Sequence, residues 1–218
     1  MKQLFVKQNH TDRLNLIFLG YGQDGAIFEQ LKDSDCADIA LVYDYENEDF
    51  DSSVYRKYKD INLIAWSMGV MMAPKVLDKN GILDKVTSSS AINGTLEGIS
   101  DEYGIPLKMW NATIDALCES AVLKFYRRMC FDAKLYEEYL RFRPKRSEES
   151  LKSELIFIRE FSNNPTVEGF FYNKAFIGLK DKIISPVNQL NSFKKTNTVT
   201  QEVECAHYSY ELFKNQLV

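Results

Sequence analysis

Three short apolar runs separated by helix-length segments constrain the fold of this chain more than any other feature. They cover residues 14–19, 38–43 and 61–66, and two nearby glycines follow the first run. Strands that are apolar at nearly every position are typical of a parallel sheet covered by helices on both faces. Further strands are predicted over 86–92, 174–178 and 199–205, and short helices over 27–31 and 68–77.

The composition changes between residues 110 and 161, where turn residues are few and Leu, Phe, Tyr, Glu, Lys and Arg are abundant. This segment is predicted to be mostly helical. Ser147, Glu148 and Glu149 are typical of a helix N-terminus, because serine caps free N–H groups and acids favour the helix dipole. We expect an α/β core formed by residues 1–109 and 162–218, with residues 110–161 inserted as a helical lid. The alternative is a helical excursion that only packs on the sheet.

A serine lies where the third apolar run gives way to a helix. Residues 65–69 read Ala-Trp-Ser-Met-Gly, with small residues two positions before and two after Ser67. A sharp strand-to-helix turn needs small residues there and holds the serine hydroxyl above the sheet. Ala65 departs from the usual glycine, and Pro74 should kink the helix or remove one of its hydrogen bonds. The pattern predicts a nucleophilic serine.

A serine hydroxyl needs a base to remove its proton as it attacks, and the base needs a third group to orient it. The chain has only two histidines. His207 follows the last predicted strand, whereas His10 precedes the first and is expected to be an ordinary surface residue. Asp181 follows the strand over 174–178. The order Ser67, Asp181, His207 at strand ends predicts an α/β-hydrolase fold, with a mostly parallel central sheet and a catalytic triad.

Acyl transfer also needs N–H donors for the negative oxygen of the tetrahedral intermediate. The Met68 N–H follows the nucleophile and is expected to be one donor, and the Tyr21 N–H in the loop after the first run the other. An alternative stays open for this loop. Residues 20–25 also fit the dinucleotide-binding pattern G-x-G-x-x-G, and Asp44 lies where a ribose-binding acid belongs.

Composition argues against several other functions. The formal net charge of −4 gives no support for nucleic-acid binding. No apolar run spans a membrane or reads as a signal peptide, so we expect a cytoplasmic protein. We expect no metal and no cofactor. Two histidines without a Cys/His cluster argue against a histidine-rich metal site, while counting residues leaves a carboxylate site open. The cysteines are expected to be reduced thiols packed as small apolar side chains: Cys36, Cys118, Cys130 and Cys205.

Five motifs distributed over most of the chain resemble one enzyme family. They are Phe18-Leu-Gly-Tyr-Gly22, Ala65-Trp-Ser-Met-Gly-Val70, Ala91-Ile-Asn-Gly-Thr95, Lys124-Phe-Tyr-Arg-Arg-Met-Cys130 and Phe176-Ile-Gly-Leu-Lys-Asp181. The chain resembles the pimeloyl-[acyl-carrier protein] methyl ester esterases of the BioG type, which belong to biotin synthesis. The resemblance implies that Ser67 attacks a methyl ester on a carrier-bound pimeloyl chain, releasing methanol.

The predicted lid has a charge suited to such a carrier. Residues 121–146 contain eight basic and three acidic residues, in an otherwise acidic chain. A basic surface attracts an acidic partner and can bind a phosphopantetheine phosphate. A solvated basic face is the simpler alternative. The residues expected to contact substrate or carrier are Trp66, Arg127, Arg128, Arg141 and Arg143. Lys145 and Arg146 belong to the same basic cluster as Arg141 and Arg143.

The residues leave two other functions open. The same triad serves general carboxylesterases and thioesterases, since the substrate is decided by the shape of the pocket. A non-catalytic protein that keeps this fold and binds an acyl carrier protein through its lid is the third possibility.

Overall fold

A seven-stranded sheet forms the centre of the described chain. The structure is a computed structural model that describes residues 1–33 and 37–218, with the backbone alone at positions 29, 30, 32 and 33. The strands are β1 (Lys2–Lys7), β2 (Arg13–Phe18), β3 (Asp38–Tyr43), β4 (Asp60–Trp66), β5 (Val86–Ile92), β6 (Lys174–Gly178) and β7 (Val199–Val203). Their order is β1-β3-β2-β4-β5-β6-β7. Only β1 runs antiparallel to its neighbour among these described strands.

Six of the strands follow the sequence prediction to within two residues at either end, and β1 was not predicted. Its sequence, Lys-Gln-Leu-Phe-Val-Lys, mixes charged and apolar residues and is mostly half-buried. A strand at the edge of a sheet is exposed on one side and so lacks the continuous apolar run of the central strands. The mostly parallel sheet of an α/β hydrolase is otherwise as expected.

Seven α-helices accompany the sheet within the described residues. The short helix predicted over 27–31 is part of a 3₁₀ helix, Gly25–Asp33. Ser147 caps its helix as predicted, accepting a hydrogen bond from the Ser150 N–H at 3.1 Å. The helices are α1 (Gly69–Lys79), α2 (Leu107–Asp115), α3 (Glu119–Met129), α4 (Ala133–Arg141), α5 (Glu148–Ser162), α6 (Pro186–Phe193) and α7 (Tyr210–Lys214). We call α2 to α5, residues 107–162, the helical segment.

The core lies on both faces of the sheet, because alternate side chains of each strand point in opposite directions. In β4, Leu63 and Ala65 pack into one apolar cluster with α1, α2 and α5. Ile64 and Trp66 pack into the other, with Tyr126, Tyr139 and Phe213 from α3, α4 and α7. The helical segment therefore contributes to the apolar layers on both faces.

Pro74 lies inside α1, and a tyrosine from another part of the chain compensates for it. Proline has no N–H, so the carbonyl of Val70, one turn earlier, loses its helical donor. The Tyr172 hydroxyl donates to this carbonyl at 2.9 Å. Both Tyr172 and Val70 are fully buried, where an unpaired carbonyl would be costly. This contact accounts for a proline that the sequence alone left unexplained.

Three cysteines lie in the described residues, and all three are free thiols. Cys130 is buried and Cys205 half-buried, and burial raises the pKa of Cys130 to about 12. Cys118 is exposed, so the prediction that it packs as an apolar side chain is wrong. Cys36 lies outside the described residues. In the described part of the chain, no helix has the length and apolarity needed to cross a membrane.

Candidate active site

Ser67 lies at a sharp turn between β4 and α1. Its backbone has a positive φ of 55°, a strained conformation for a residue with a side chain. The turn is held by the Ser67 N–H, which donates to the Ile92 carbonyl at 3.0 Å. A Cβ at Gly69 would lie 2.4 Å from the Phe18 carbonyl oxygen, so no larger residue fits there. The sequence pattern of small residues around the serine thus has a direct steric cause.

Ser67, His207 and Asp181 form a continuous chain of hydrogen bonds. The Ser67 Oγ lies 2.9 Å from His207 Nε2, and His207 Nδ1 lies 2.8 Å from Asp181 Oδ2. An ionised carboxylate only accepts, so Nδ1 carries the proton and Nε2 is free to accept the serine proton. All three side chains are buried, with Ser67 5% and His207 1% exposed. The arrangement can deprotonate the serine as it attacks a carbonyl.

Asp181 is fixed by donors other than the histidine. Its Oδ1 accepts from the Ile183 and Ile184 N–H groups at 2.7 and 3.0 Å. The Gln189 side chain in α6 donates from Nε2 to Asp181 Oδ2 at 2.8 Å. Gln189 is fully buried and was missed in the sequence, because nothing in its immediate surroundings distinguishes it from an ordinary helix residue.

Two buried side chains, those of Asn93 and Trp66, hold His207 through its backbone carbonyl. Asn93 Nδ2 donates to the carbonyls of His207 and Ala206 at 2.9 and 2.8 Å, while its Oδ1 accepts from the Gly178 N–H at 2.7 Å. One amide thereby joins β5, the strand that precedes Asp181 and the loop that carries His207. In the sequence, Asn93 stands out only as part of the motif Ala91-Ile-Asn-Gly-Thr95. The positive φ of 44° at Asn93 is visible only in the structure.

Trp66 is not where the sequence interpretation expected it. It is fully buried in the core, and its Nε1 donates to the His207 carbonyl at 2.9 Å. Its ring lies 5.4 Å from that of Phe213, on α7. The expected contact with substrate is therefore wrong. Strand alternation turns Trp66 to the face of the sheet opposite Ala65, where it supports the histidine loop.

The two N–H groups expected to bind the oxyanion belong to Tyr21, which follows Gly20, and to Met68, which follows Ser67. Neither the Tyr21 N–H nor the Met68 N–H donates to an acceptor among the described residues. Gly20 brings the loop after β2 against the nucleophile, since a Cβ at this position would lie 2.9 Å from Ser67 Cβ. Free N–H groups beside a nucleophile can stabilise the negative oxygen of a tetrahedral intermediate.

Two buried side chains fix the peptide group between Tyr21 and Gly22. The Gly22 N–H donates to Glu154 Oε2 at 3.0 Å. The Tyr21 carbonyl accepts from Gln23 Nε2 at 3.3 Å, and the Tyr139 hydroxyl donates to Gln23 Oε1 at 3.0 Å. Glu154 lies in α5 and Tyr139 in α4. The helical segment therefore determines the orientation of the loop that carries the Tyr21 N–H.

Arg146 neutralises Glu154 and is not part of a solvated basic cluster. Its guanidinium, 5% exposed, binds Glu154 Oε2 and Asp44 Oδ1, each at 2.5 Å, and Glu46 at 3.1 Å. Burial raises the pKa of Glu154 above its usual range, and the charge of Arg146 opposes this shift. The expectation that Arg146 belongs to a carrier-binding surface is wrong. Asp44 also pairs with Lys2, and a 3₁₀ helix follows the glycine loop, which removes the case for dinucleotide binding.

The other basic residues between positions 121 and 145 are exposed. Arg127 lies over the Tyr136 ring at 5.4 Å. The Arg128 side chain donates to the Lys182 carbonyl at 2.9 Å, beside Asp181 in the chain. Arg141 and Arg143 are exposed at the end of α4 and just beyond it. None of these arginines forms a hydrogen bond with Ser67, Asp181 or His207 among the described contacts.

Two cavities adjoin the helical segment. A small one of about 30 Å³ has an almost entirely apolar lining that includes Tyr21, Phe125 and Leu151. This volume holds about one water molecule. A more open groove of about 400 Å³ lies beside it and has Arg143 and Lys145 in its lining. Three residues line both spaces: Val122, Tyr126 and Leu151.

A mostly parallel sheet, a serine on a strained turn and a linked aspartate–histidine pair define the class of α/β hydrolases. Solved structures of low identity share this fold. A candidate aryl esterase from Burkholderia cenocepacia superimposes with a TM-score of 0.68 at 11% identity, covering 98% of this chain and 90% of the other. A lipase-esterase related protein from Clostridium acetobutylicum gives 0.60 at 17% identity, with 93% and 90% covered.

Within this class, the chain belongs to the BioG family. The family model described as pimeloyl-ACP methyl esterase BioG matches residues 1–216. The crystal structure of BioG from Haemophilus influenzae superimposes with a TM-score of 0.86 at 31% identity, covering 98% of this chain and 97% of the other.

A malonyl-[acyl-carrier protein] O-methyltransferase from Bacteroides fragilis is 37% identical over 203 residues, or 93% of this chain. The chain spans only 41% of the length of that relative.

Proposed function

We propose that this chain is a serine esterase that hydrolyses the methyl ester of a pimeloyl chain carried on acyl carrier protein. Ser67 acts as the nucleophile, His207 as the general base and acid, and Asp181 as the group that orients the imidazole. The observation that carries the proposal is the hydrogen-bonded chain from Ser67 Oγ through both nitrogens of His207 to Asp181. Membership of a family described as pimeloyl-ACP methyl esterases supports the choice of substrate.

The reaction proceeds in two steps. The Ser67 oxygen attacks the ester carbonyl while His207 Nε2 takes its proton, and the N–H groups of Tyr21 and Met68 bind the oxyanion. Collapse expels methoxide, which takes the proton from His207 and leaves as methanol. Water then attacks the acyl-serine with His207 again as base. The products are the pimeloyl carboxylate on its carrier, methanol and one proton, and Ser67 is regenerated.

We propose that the carrier-bound substrate reaches the site through the helical segment. We propose that residues 110–161 act as a lid, with the groove beside Arg143 and Lys145 as the entrance for the phosphopantetheine arm. The exposed Arg127, Arg128 and Arg141 would meet the acidic carrier protein. The apolar pocket beside Tyr21 holds only about one water, so its lining must part when an acyl chain enters.

We propose no methyl transfer for this chain, although the Bacteroides fragilis relative is named a methyltransferase. The match covers 41% of that protein, which leaves three-fifths of it to account for the methyltransferase in its name. Its name and the description of the family both refer to an acyl carrier protein, which supports a carrier-bound substrate.

The test is methanol release from pimeloyl-[acyl-carrier protein] methyl ester by the wild type and by Ser67→Ala. We expect turnover by the wild type and none by the variant. Turnover of small esters or thioesters without activity on this substrate would identify a general carboxylesterase or thioesterase. A folded wild type that hydrolyses no ester and does not react with a fluorophosphonate, yet binds the carrier, would be a non-catalytic binding protein.

A further inference from the structure

The Tyr21 hydroxyl has no hydrogen-bond partner among the described residues, although the side chain is 93% buried, being 7% exposed. A buried hydroxyl without a partner destabilises the folded protein, so such groups are rare and need an explanation. Burial raises the pKa of Tyr21 far above its usual range, which keeps the hydroxyl neutral. It is therefore available as a donor at any pH at which an esterase works.

The ring of Tyr21 is held in place by aromatic neighbours on the helical segment. It lies 6.2 Å from the Trp110 ring and 5.7 Å from the Phe125 ring. The carboxylate of Glu154 is already engaged by Arg146 and by two backbone N–H groups. The packing thus fixes the ring without supplying an acceptor for its hydroxyl.

Tyr21 lines the small apolar pocket, and the residue before it, Gly20, lies against Ser67. The backbone N–H of Tyr21 is one of the two oxyanion donors in the proposed reaction. The hydroxyl of the same residue lies at the far end of its side chain. A substrate whose reacting carbonyl is bound at the N–H would run its acyl chain past the ring. An oxygen further along that chain would then meet the hydroxyl.

We infer that the Tyr21 hydroxyl recognises a second carbonyl on the acyl chain, at a distance from the ester that reacts. This inference rests on the proposed esterase function and assigns to one residue the recognition of the second carbonyl of its dicarboxylic acyl chain. In the carrier-bound substrate the second carbonyl is the thioester that joins the chain to its carrier. A site with a fixed donor rejects analogues that lack the acceptor, because the buried donor then stays unpaired.

Two small esters with equal acyl chain lengths test the inference. Dimethyl pimelate carries a second carbonyl at the far end of its chain, and methyl heptanoate does not. We expect the wild type to prefer dimethyl pimelate in kcat/KM. Tyr21→Phe should lower the ratio of the two kcat/KM values about five- to tenfold, the worth of one neutral hydrogen bond. Tyr55→Phe, which removes another buried phenol packed against Phe5 and Phe50, serves as the matched control and should keep the wild-type ratio.

Thermal unfolding separates recognition from a structural role. Because the hydroxyl has no partner within the described protein, Tyr21→Phe should unfold at the same temperature as the wild type or higher. A lower unfolding temperature would overturn the inference, since the hydroxyl would then serve the fold.

An unchanged ratio of kcat/KM values in Tyr21→Phe would also overturn the inference, because water alone would then satisfy the hydroxyl. If the wild type hydrolyses neither ester and Ser67 does not react with a fluorophosphonate, the esterase function fails and the inference fails with it. Wild-type activity combined with an unchanged ratio overturns the inference alone.

Discussion

The strand ends and the helical segment contribute to the candidate site in different ways. The strand ends supply Ser67, Asp181 and His207, whose hydrogen bonds are short and shielded from solvent. The helical segment contributes none of these groups and instead fixes the Tyr21 loop through Glu154 and Tyr139. The ends of the strands therefore carry the candidate reacting groups, while contacts with the helical segment orient the loop that carries the Tyr21 N–H.

The charged residues of the strand ends and of the helical segment also differ in their surroundings. Asp181 forms hydrogen bonds to residues nearby in the chain, to Gln189 and to the histidine. The basic residues of the helical segment look alike in sequence but have different environments. Arg146 is 5% exposed and paired with three acids, whereas Arg127 and Arg141 face solvent. The net charge of a segment therefore does not show which of its charged residues are exposed and can contact a partner protein.

The largest expected effect breaks the chemistry of the strand ends. Ser67→Ala and His207→Ala should each lower kcat roughly 10⁴- to 10⁶-fold, and the double variant should be no worse than the single ones. Esterase assays combined with circular dichroism measure the loss in folded protein. Substantial activity in either folded variant would contradict the roles of Ser67 and His207.

A smaller effect is expected where the helical segment meets the Tyr21 loop. Glu154→Gln should lower kcat about tenfold or more with little change in KM, because the oxyanion donor loses its orientation while the ground state binds as before. Glu149→Gln, an exposed acid in the first turn of the same helix, is the matched control and should retain wild-type kcat.

Tyr139→Phe provides a milder test of the same contact, since it removes only the hydroxyl that holds Gln23. We expect about a threefold fall in kcat, the lower end of the worth of one hydrogen bond. Full kcat in both folded variants would show that the helical segment does not orient the loop.

Charge reversal of the exposed arginines sharpens the comparison within the helical segment. Arg127→Glu should lower kcat/KM for the carrier-linked ester about tenfold and hardly affect a small ester, because long-range attraction acts on the charged carrier. Arg128→Glu should affect both substrates, since its side chain binds the Lys182 carbonyl beside Asp181. Arg56→Glu, an exposed residue outside the helical segment, is the control. Equal losses on both substrates in Arg127→Glu would indicate a structural role for Arg127.

The smallest effect concerns stability alone. Tyr172→Phe should lower the free energy of unfolding by about 1–3 kcal/mol, because the buried Val70 carbonyl loses its donor. In a Pro74→Ala background the loss should be smaller, since residue 74 regains an N–H that can reach this carbonyl. Urea unfolding of the four proteins in this double-mutant cycle measures the difference. An equal loss in both backgrounds would show that the Tyr172 hydroxyl does not compensate for Pro74.

Much of the fold could be predicted from the sequence, because central strands are apolar along their whole length. β2 to β7 follow the predicted ranges closely, but β1 lies at the sheet edge and carries no such run. The turn around Ser67 could be predicted as well, because crowding at the turn requires small residues at positions close to Ser67 in the sequence. The order of Asp181 and His207 at later strand ends then predicted their approach to the serine.

The residues that hold this site in place depend on contacts between distant parts of the chain. Asn93 binds Gly178, 85 residues further on, and Gly22 binds Glu154, 132 residues further on. No local pattern encodes such pairs, because the sequence constrains neighbours while packing brings remote groups together. The sequence by itself determined strands β2 to β7, the serine turn and the candidate reacting groups. Only the tertiary structure decided that Trp66 supports His207, that Arg146 is buried, and that the Tyr21 hydroxyl lacks a partner in the described chain.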